Sequence, residues 1–343
     1  MRAAVFDGAG MPLRIAEVPD PAPGTGEAIL RVHACGICGS DLHATAPGGL
    51  ARPGGILGHE VAGTVEALGP DPLGSWALGD RVFVVSRLTC GGCGWCLIGQ
   101  GHRCEHIKFF GALGPDEPDG AYAELLKVHT NDLLRVPDTV SLDVAATVEP
   151  LATGLMLVRD AEMSIGDRVL VIGGGPIGLA TVAWAKFFGA RRVVMSEMVP
   201  DRLALGEVMG ATDLIDASAV GDVGAAVTEL LGQPPDIVIE CVGLPGVLSQ
   251  AIDIVRHGGT VIAGGVCMQP DTIDHVAAYL TEPTVRFPAT YTTEENKFII
   301  EMIAAGRIDP TPLVSHRVTL DELPEAFEAL RQPTDQCKVM VKP

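Results

Sequence analysis

Four closely spaced cysteines could hold a metal ion. Cys90, Cys93, Cys96 and Cys104 form the pattern C-x2-C-x2-C-x7-C in the glycine-rich segment TCGGCGWCLIGQGHRC. Four thiolates can close a tetrahedron around zinc, and a site filled by four protein ligands is structural because no position is open for substrate. The spacing matches neither ferredoxin pattern of an iron–sulfur cluster. The sequence therefore predicts a structural zinc lobe over about residues 88–106.

A second, more dispersed set of side chains offers three kinds of zinc ligand. Cys38 lies in CGICGSDLH, the pair His59-Glu60 lies in GHE, and Glu149 lies in VEPLAT. A thiolate, an imidazole and a carboxylate leave one position of a tetrahedral zinc site open, as a catalytic zinc requires. This set predicts a catalytic metal centre.

Other polar residues lie close to Cys38 in the sequence. Asp41 could accept a hydrogen bond from the zinc-bound histidine. Ser40 and His43 offer a hydroxyl and an imidazole that could carry a proton to solvent. A different interpretation stays open, because Cys35 and Cys38 also form a CxxC pair that could be redox-active.

A glycine-rich turn predicts a dinucleotide site. Gly173, Gly175 and Gly178 form G-x-G-x-x-G between the strand-like VLVIG and the helix-like IGLATVAWAKFF. The glycines permit a tight turn and bring the pyrophosphate close to the helix N-terminus, where unpaired N–H groups bind anions. Pro176 and Ile177 then fall in the first turn of that helix, which is the context that supports the motif.

The end of the next strand predicts the cofactor. Glu197 lies nineteen residues after Gly178, where a carboxylate accepts hydrogen bonds from a ribose diol and repels a 2′-phosphate. NAD is therefore preferred over NADP, although the neighbouring Arg191 and Arg192 keep NADP open. Arg202 lies five residues further on and could face the adenosine or solvent.

Length, charge and cysteine usage exclude several classes of protein. The 343 residues suggest two domains. The 24 Lys and Arg against 43 Asp and Glu give a net charge of −19, which disfavours nucleic acid as a partner.

The longest apolar stretch is broken by glycines and a proline, so we predict no membrane span. No secretory signal is visible, and the odd number of nine cysteines does not favour a framework of disulfides. A reducing, cytoplasmic setting follows from these features.

The pattern of predicted secondary structure changes near Val169. Up to about residue 150, short β segments such as EAILRVHA and DRVFVV alternate with Gly and Pro, which indicates half-buried antiparallel strands. From VLVIG to TVIAGG, strands alternate with helices at short spacing, which indicates βαβ units and a parallel sheet. Two helices, near KFIIEMIAAG and LPEAFEAL, and a last strand, KVMVKP, follow after about residue 290.

The chain resembles the zinc-dependent medium-chain alcohol dehydrogenases in the order of these motifs: CGICGSDLH, GHE, the four cysteines, VEPLATG, GGGPIG, an acidic strand end and KVMVKP. It is most similar to the branch that contains the sorbitol, butanediol and threonine dehydrogenases. The resemblance covers essentially the whole chain. It implies an α/β protein with a GroES-like β-rich catalytic domain in residues 1–150 and 289–343. A Rossmann domain with a doubly wound parallel sheet is implied for residues 151–288, with the active site in the cleft between the two.

The resemblance also implies roles for single residues. Cys38 and His59 become ligands of the catalytic zinc, with Glu60 or Glu149 as the third ligand, since family members differ on this point. Ser40 and His43 match the proton-relay hydroxyl and histidine of the family. Thr153 matches a threonine near the nicotinamide. Lys338 matches a basic residue near the pyrophosphate.

The implied activity is reversible hydride transfer between NAD and a secondary alcohol, diol or polyol. We expect two zinc ions per subunit, one catalytic and one structural, and a homodimer or homotetramer. The substrate is expected to be small and neutral, because no cationic clamp for an anion is visible in the sequence. Two alternatives are a non-catalytic nicotinamide-binding or structural protein on the same fold and a zinc-ribbon interaction module.

Overall fold

The computed structural model describes residues 1–332 and 335–343 and separates the chain into two units. The first unit comprises Met1–Glu149 and Thr292–Pro343, and the second comprises Pro150–Tyr291. The corresponding predicted boundaries lie after residues 150 and 288.

Eighteen strands lie in the described residues and are numbered in chain order: β1 (Arg2–Phe6), β2 (Arg14–Glu17), β3 (Glu27–Gly36), β4 (Gly55–Ile56), β5 (Glu60–Leu68), β6 (Arg81–Val84), β7 (Arg87–Leu88), β8 (Lys108–Phe109), β9 (Leu125–His129), β10 (Leu133–Arg135), β11 (Arg168–Ile172), β12 (Arg192–Glu197), β13 (Asp213–Asp216), β14 (Ile237–Glu240), β15 (Thr260–Ala263), β16 (Thr284–Arg286), β17 (Val314–Thr319) and β18 (Lys338–Lys342).

Eleven α-helices occur in the same parts of the chain: α1 (Gly39–Ala44), α2 (Gly94–Leu97), α3 (Leu142–Ala145), α4 (Val148–Asp160), α5 (Pro176–Phe187), α6 (Pro200–Val208), α7 (Val223–Leu231), α8 (Val247–Ile254), α9 (His275–Thr281), α10 (Thr293–Ala304) and α11 (Leu323–Ala329). Among these described residues, we find no helix with the length and apolar character needed to cross a membrane.

The first unit is built around a mixed sheet with the order β10-β6-β5-β3-β18-β17, in which β9 also pairs with β3. Strand β3 has buried apolar side chains along most of its length, because both of its faces are covered. It pairs antiparallel with β5 and β18, whereas β17 and β18 run parallel. The register places Gly36 opposite both Glu60 and Met340, so three distant segments meet at one strand end.

The second unit is a six-stranded parallel sheet with the order β13-β12-β11-β14-β15-β16. Helices connect successive strands, and the central strands β11 and β14 are almost wholly buried. The strand order reverses direction between β11 and β14, which is where sheets of this type bind nucleotides at the carboxyl ends of their strands. The predicted combination of a β-rich domain with a doubly wound Rossmann sheet is confirmed.

Candidate active site and metal centres

Three of the predicted ligands of the catalytic zinc lie together in the first unit. The Cys38 sulfur, a nitrogen of His59 and a carboxylate oxygen of Glu60 all lie within 4.8 Å of one another. Cys38 directly precedes helix α1, and Glu60 begins strand β5 directly after His59. The pairing of Gly36 with Glu60 holds this end of β5 beside the chain segment that leads into Cys38.

The chemistry of these donors fits a zinc ion. A thiol, an imidazole and a carboxylate are ligands that zinc accepts in catalytic sites, where a fourth position stays open. Glu60 is fully buried, and its Oε2 atom has no hydrogen-bond partner among the described residues. An unpaired buried polar group costs about 1–3 kcal/mol, and more if it is charged. A cation bound beside Oε2 would offset that cost.

Asp41 orients the ring of His59. The two residues are buried, and His59 Nδ1 lies 3.3 Å from Asp41 Oδ1. The other ring nitrogen, Nε2, lies 3.3 Å from the hydroxyl of Ser40 and is the nitrogen left to bind a metal. Burial opposes a charge on His59, but the charge and hydrogen bond of Asp41, together with those of Cys38, outweigh burial and raise the pKa of the imidazole well above its usual value.

Ser40 and His43 lie on the exposed side of α1. They are three residues apart, so both side chains project from neighbouring turns of the same helix face. The Ser40 hydroxyl contacts His59 Nε2, whereas His43 faces solvent. This order, from a group at the metal cluster to a group in water, is the one that a proton relay needs.

The four cysteines of the predicted structural lobe also come together. Their sulfur atoms all lie within 4.8 Å of one another. Backbone amides point at the sulfurs: Cys93 N–H donates to Cys90 Sγ at 3.3 Å, and His106 N–H donates to Cys104 Sγ at 3.3 Å. Hydrogen bonds from the amides of Cys96 and Glu105 lower the pKa of Cys93 to about 6. Burial and the neighbouring thiols Cys93 and Cys104, by contrast, raise the pKa of Cys96 to about 12. The assignment of zinc therefore rests on the convergence of the four sulfurs, which suits a tetrahedral site with four sulfur ligands.

The glycine-rich turn joins β11 to α5 in the second unit. Gly173 has a φ of +99°, in the region that favours glycine, and Gly175 caps α5, which begins at Pro176 and continues through Ile177. A side chain at Gly178 would collide with the carbonyl oxygen of Gly173. A Cβ at Gly175, by contrast, would meet no atom within 4 Å. The turn therefore leaves open space in front of the N-terminus of α5, where a pyrophosphate would fit.

Glu197 ends β12 beside this turn. Its Oε2 atom accepts a hydrogen bond from the amide of Gly174 at 2.6 Å, and its Oε1 atom accepts from the amides of Met198 and Val199 at 2.6 and 2.9 Å. These contacts fix the carboxylate against the glycine-rich turn. A carboxylate held there can accept hydrogen bonds from a ribose diol.

Two further predicted cofactor residues lie on helices of the second unit. Thr153 is in α4 and Arg202 is in the first turn of α6, and both side chains are half-buried. Their contacts with a cofactor stay predictions.

Comparison with known proteins places the chain in a family. The family model described as the alcohol dehydrogenase GroES-like domain matches residues 24–138, and the model described as zinc-binding dehydrogenase matches residues 176–305. The sorbitol dehydrogenase of Gallus gallus is 34% identical over 336 residues, which cover 96% of this chain and 93% of that protein. The chain belongs to the zinc-dependent medium-chain alcohol dehydrogenases.

Solved structures agree with this assignment. The 2R,3R-butanediol dehydrogenase of Bacillus subtilis superposes on this dehydrogenase with a TM-score of 0.89 and 29% identity, over 100% of this chain and 99% of that chain. A zinc-binding dehydrogenase of Sinorhizobium meliloti 1021 bound to NADP gives 0.90 and 30% over the same shares. The predicted resemblance is confirmed, and the comparisons do not support a non-catalytic protein on this fold.

The structure gives Lys338 a different place in this dehydrogenase from the predicted one. Lys338 is only 2% exposed, and its Nζ atom donates to Glu60 Oε1 at 2.6 Å and to the carbonyl oxygen of Ile37 at 2.9 Å. Burial opposes the charged amine, but the charge and hydrogen bond of Glu60, together with the charges of Cys38 and Glu149, outweigh burial and raise the pKa of Lys338. The predicted pyrophosphate contact is not supported, because the ammonium group is the buried partner of a candidate zinc ligand.

The geometry bears on two open questions at the metal cluster, which are the third zinc ligand and the role of Cys35. Glu149 lies in the first turn of α4 and is outside the group formed by Cys38, His59 and Glu60, although its charge acts on Glu60. Cys35 is fully buried, and burial raises the pKa of its thiol well above the usual value. A buried thiol with a raised pKa is unreactive, which argues against a redox pair with Cys38.

Proposed function

We propose that this dehydrogenase uses zinc and NAD to interconvert a neutral secondary alcohol, diol or polyol with the corresponding ketone. The observation that carries the proposal is the group of Cys38, His59 and Glu60, with donor atoms within 4.8 Å of one another and the Ser40 hydroxyl beside it. The names of its relatives, which include sorbitol and butanediol dehydrogenases, support the same class of substrate.

The residues of the chain have separate tasks in this reaction. When bound, zinc supplies a Lewis acid that favours the ionised substrate hydroxyl, and the nicotinamide supplies the hydride acceptor. Asp41 holds the His59 ring so that Nε2 points to the metal position. The Ser40 hydroxyl lies next to that position and can take up the substrate proton, and His43 lies one turn further on, where it can release the proton to water.

The pairing of two cations in the first unit supports a neutral substrate. Lys338 is paired with Glu60, and Arg52, the single cation of the segment ATAPGGLARPGGIL, donates to Asp119 at 2.7 Å. A carboxylate or phosphate on the substrate would need a cation that is not already paired. A hydroxyl-rich substrate has no such need.

Glu197 supports NAD over NADP. Its carboxylate is fixed by three backbone amides at the end of β12, where a 2′-phosphate would meet a like charge. Arg192, one of the two arginines that could favour NADP, forms a bidentate pair with Asp213 at 2.7 and 2.5 Å.

We also propose two zinc ions per chain and a reducing, cytoplasmic setting. The second ion belongs to the group of four cysteines at residues 90–104, whose sulfurs lie within 4.8 Å of one another. All nine cysteines of the chain lie in its described part, and all are free thiols. Thiolate ligands of zinc need a compartment that keeps them reduced.

The proposal is tested by steady-state kinetics with the purified holoenzyme. Reduction of NAD and of NADP is followed at 340 nm over a panel of neutral polyols, diols and secondary alcohols, together with sugar acids and sugar phosphates. We expect turnover of neutral substrates, a higher kcat/KM with NAD, and two zinc ions by elemental analysis. Preference for a phosphorylated or carboxylated alcohol would contradict the neutral class, and one zinc without turnover would contradict the function.

A face of the second unit supports the expected homo-oligomer. Strand β16 forms one edge of the parallel sheet, and large apolar side chains around it are exposed, including Val276, Tyr279, Leu280 and Phe287 at 67, 80, 66 and 69%. An open strand edge with an apolar surround is a site for pairing with another chain. We propose that a second copy of this dehydrogenase covers this face.

We expect Tyr279→Glu to dissociate the oligomer, because a carboxylate would be buried without a partner at the interface. Light scattering coupled to size-exclusion chromatography measures the mass of the native protein and of the variant. Ile165→Glu is the matched control, since Ile165 is 89% exposed in the same unit but distant in sequence from β16. A native monomer, or an oligomer unchanged by Tyr279→Glu, would contradict the proposed interface.

A further inference from the structure

A buried tyrosine lies behind the metal cluster of the first unit. Tyr122 lies in the segment DGAYAEL, and its side chain is not of a type that indicates a zinc ligand in a sequence. Its hydroxyl donates to Asp41 Oδ2 at 2.6 Å, and both residues are fully buried. A short hydrogen bond to a buried carboxylate is among the stronger ones in a protein.

Asp41 is shared between the tyrosine and the histidine. Its Oδ2 atom accepts from the Tyr122 hydroxyl and, at 3.1 Å, from the amide of Cys38. Its other oxygen, Oδ1, lies 3.3 Å from His59 Nδ1 and has no other partner among the described residues. Because two donors engage Oδ2, the carboxylate is held with Oδ1 toward the imidazole.

The surrounding chain is shaped to hold the tyrosine ring. Gly58, directly before His59, has a φ of +98°, and a Cβ there would lie 2.5 Å from Tyr122 Cδ1. Phe327 packs edge-on against the ring with centroids 6.4 Å apart. The backbone amide of Tyr122 donates to the carbonyl oxygen of Leu57 at 2.9 Å, so the tyrosine is fixed to the short segment between β4 and β5 that carries His59.

We propose that Tyr122 is a positioning residue of the catalytic metal site, which acts through Asp41 to hold His59 in its metal-binding orientation. The inference rests on the proposed function only in that it takes Cys38, His59 and Glu60 as metal ligands. Residues that orient a metal ligand from outside its coordination sphere change metal affinity or activity by about 10–100-fold when they are replaced.

The test is the affinity of the catalytic site for zinc in the Tyr122→Phe enzyme. Phenylalanine keeps the ring and removes only the hydroxyl. We expect competition with a chelator to show about tenfold weaker binding at the catalytic site. We also expect an altered absorption spectrum when cobalt replaces that zinc, while the four-cysteine site keeps its ion. Tyr291→Phe, which removes the hydroxyl of a buried tyrosine in the second unit, is the matched control.

A second variant distinguishes an effect that acts through Asp41 from a general loss of folding. Asp41→Asn should weaken the catalytic metal as well, and Tyr122→Phe should add little to it, because the tyrosine acts through the carboxylate. A metal affinity within twofold of the native enzyme in Tyr122→Phe, or losses that add in the double variant, would overturn the inference. A native enzyme that holds only one zinc would instead overturn the proposed function, so the two failures are distinguishable.

Discussion

Replacing Cys38 with serine should remove one of two zinc ions and nearly all dehydrogenase activity. The thiolate is one of three donors that lie within 4.8 Å of one another, and the serine hydroxyl is a poor substitute for it as a zinc ligand. A Lewis acid contributes several kcal/mol of transition-state stabilisation, so kcat/KM should fall by roughly a thousandfold or more.

The chain offers two matched controls for this experiment. Cys35→Ser changes a neighbouring buried thiol that lies outside the ligand group, and it should keep both zinc ions and most of the activity. Cys93→Ser should lose the other zinc, because Cys93 belongs to the four-cysteine group. Elemental analysis and kcat/KM are measured for all three variants. Two zinc ions and native kcat/KM in Cys38→Ser would contradict the assignment of the catalytic site.

Replacing Lys338 with methionine should strongly destabilise the first unit. Lys338 and Glu60 are 2% and 0% exposed, and their charged groups are 2.6 Å apart. Removing one partner of a buried ion pair leaves an uncompensated charge and costs about 3–5 kcal/mol. We therefore expect a loss of this size in the free energy of unfolding of the zinc-depleted protein, measured by urea denaturation.

Two companion variants identify the cause of the loss. Lys342→Met lies on the same strand, β18, but its side chain is 31% exposed and pairs with Asp143, so it should cost about 1 kcal/mol or less. The double variant Glu60→Gln with Lys338→Met removes both charges and should be more stable than Lys338→Met alone. Equal losses for Lys338→Met and Lys342→Met would show that the buried pair has no special importance.

Most of the fold could be predicted because strands and helices show their apolar periodicity within short stretches of sequence. Strand and helix segments from VLVIG to TVIAGG alternate clearly, and the structure has β11 to β15 there. The alternation continues in the structure with α9 and β16, which were not predicted. Strand β16 has only three residues, and α9 has no buried side chain, so neither element carries an apolar periodicity that distinguishes it from a loop.

The part of the candidate site that consists of typical metal-binding residues was predictable from the sequence. Cysteine, histidine and glutamate in short motifs indicated the metal groups. The position of Lys338 was not predictable in this way, because its partner Glu60 is 278 residues away. By itself, KVMVKP is typical of an ordinary strand with lysines near its ends. Tyr122 was missed for a similar reason: its importance comes from a contact with Asp41 across 81 residues.

Because Lys338 lies far from Glu60 in the sequence, the buried pair can form only late in synthesis. A ribosome that adds roughly 5–20 residues per second needs on the order of tens of seconds to proceed from Glu60 to its partner 278 residues later. The second unit, which is continuous from Pro150 to Tyr291, is synthesised completely within that interval. Until β18 has been synthesised, the nascent first unit therefore has an unpaired Glu60 and a sheet that lacks this strand.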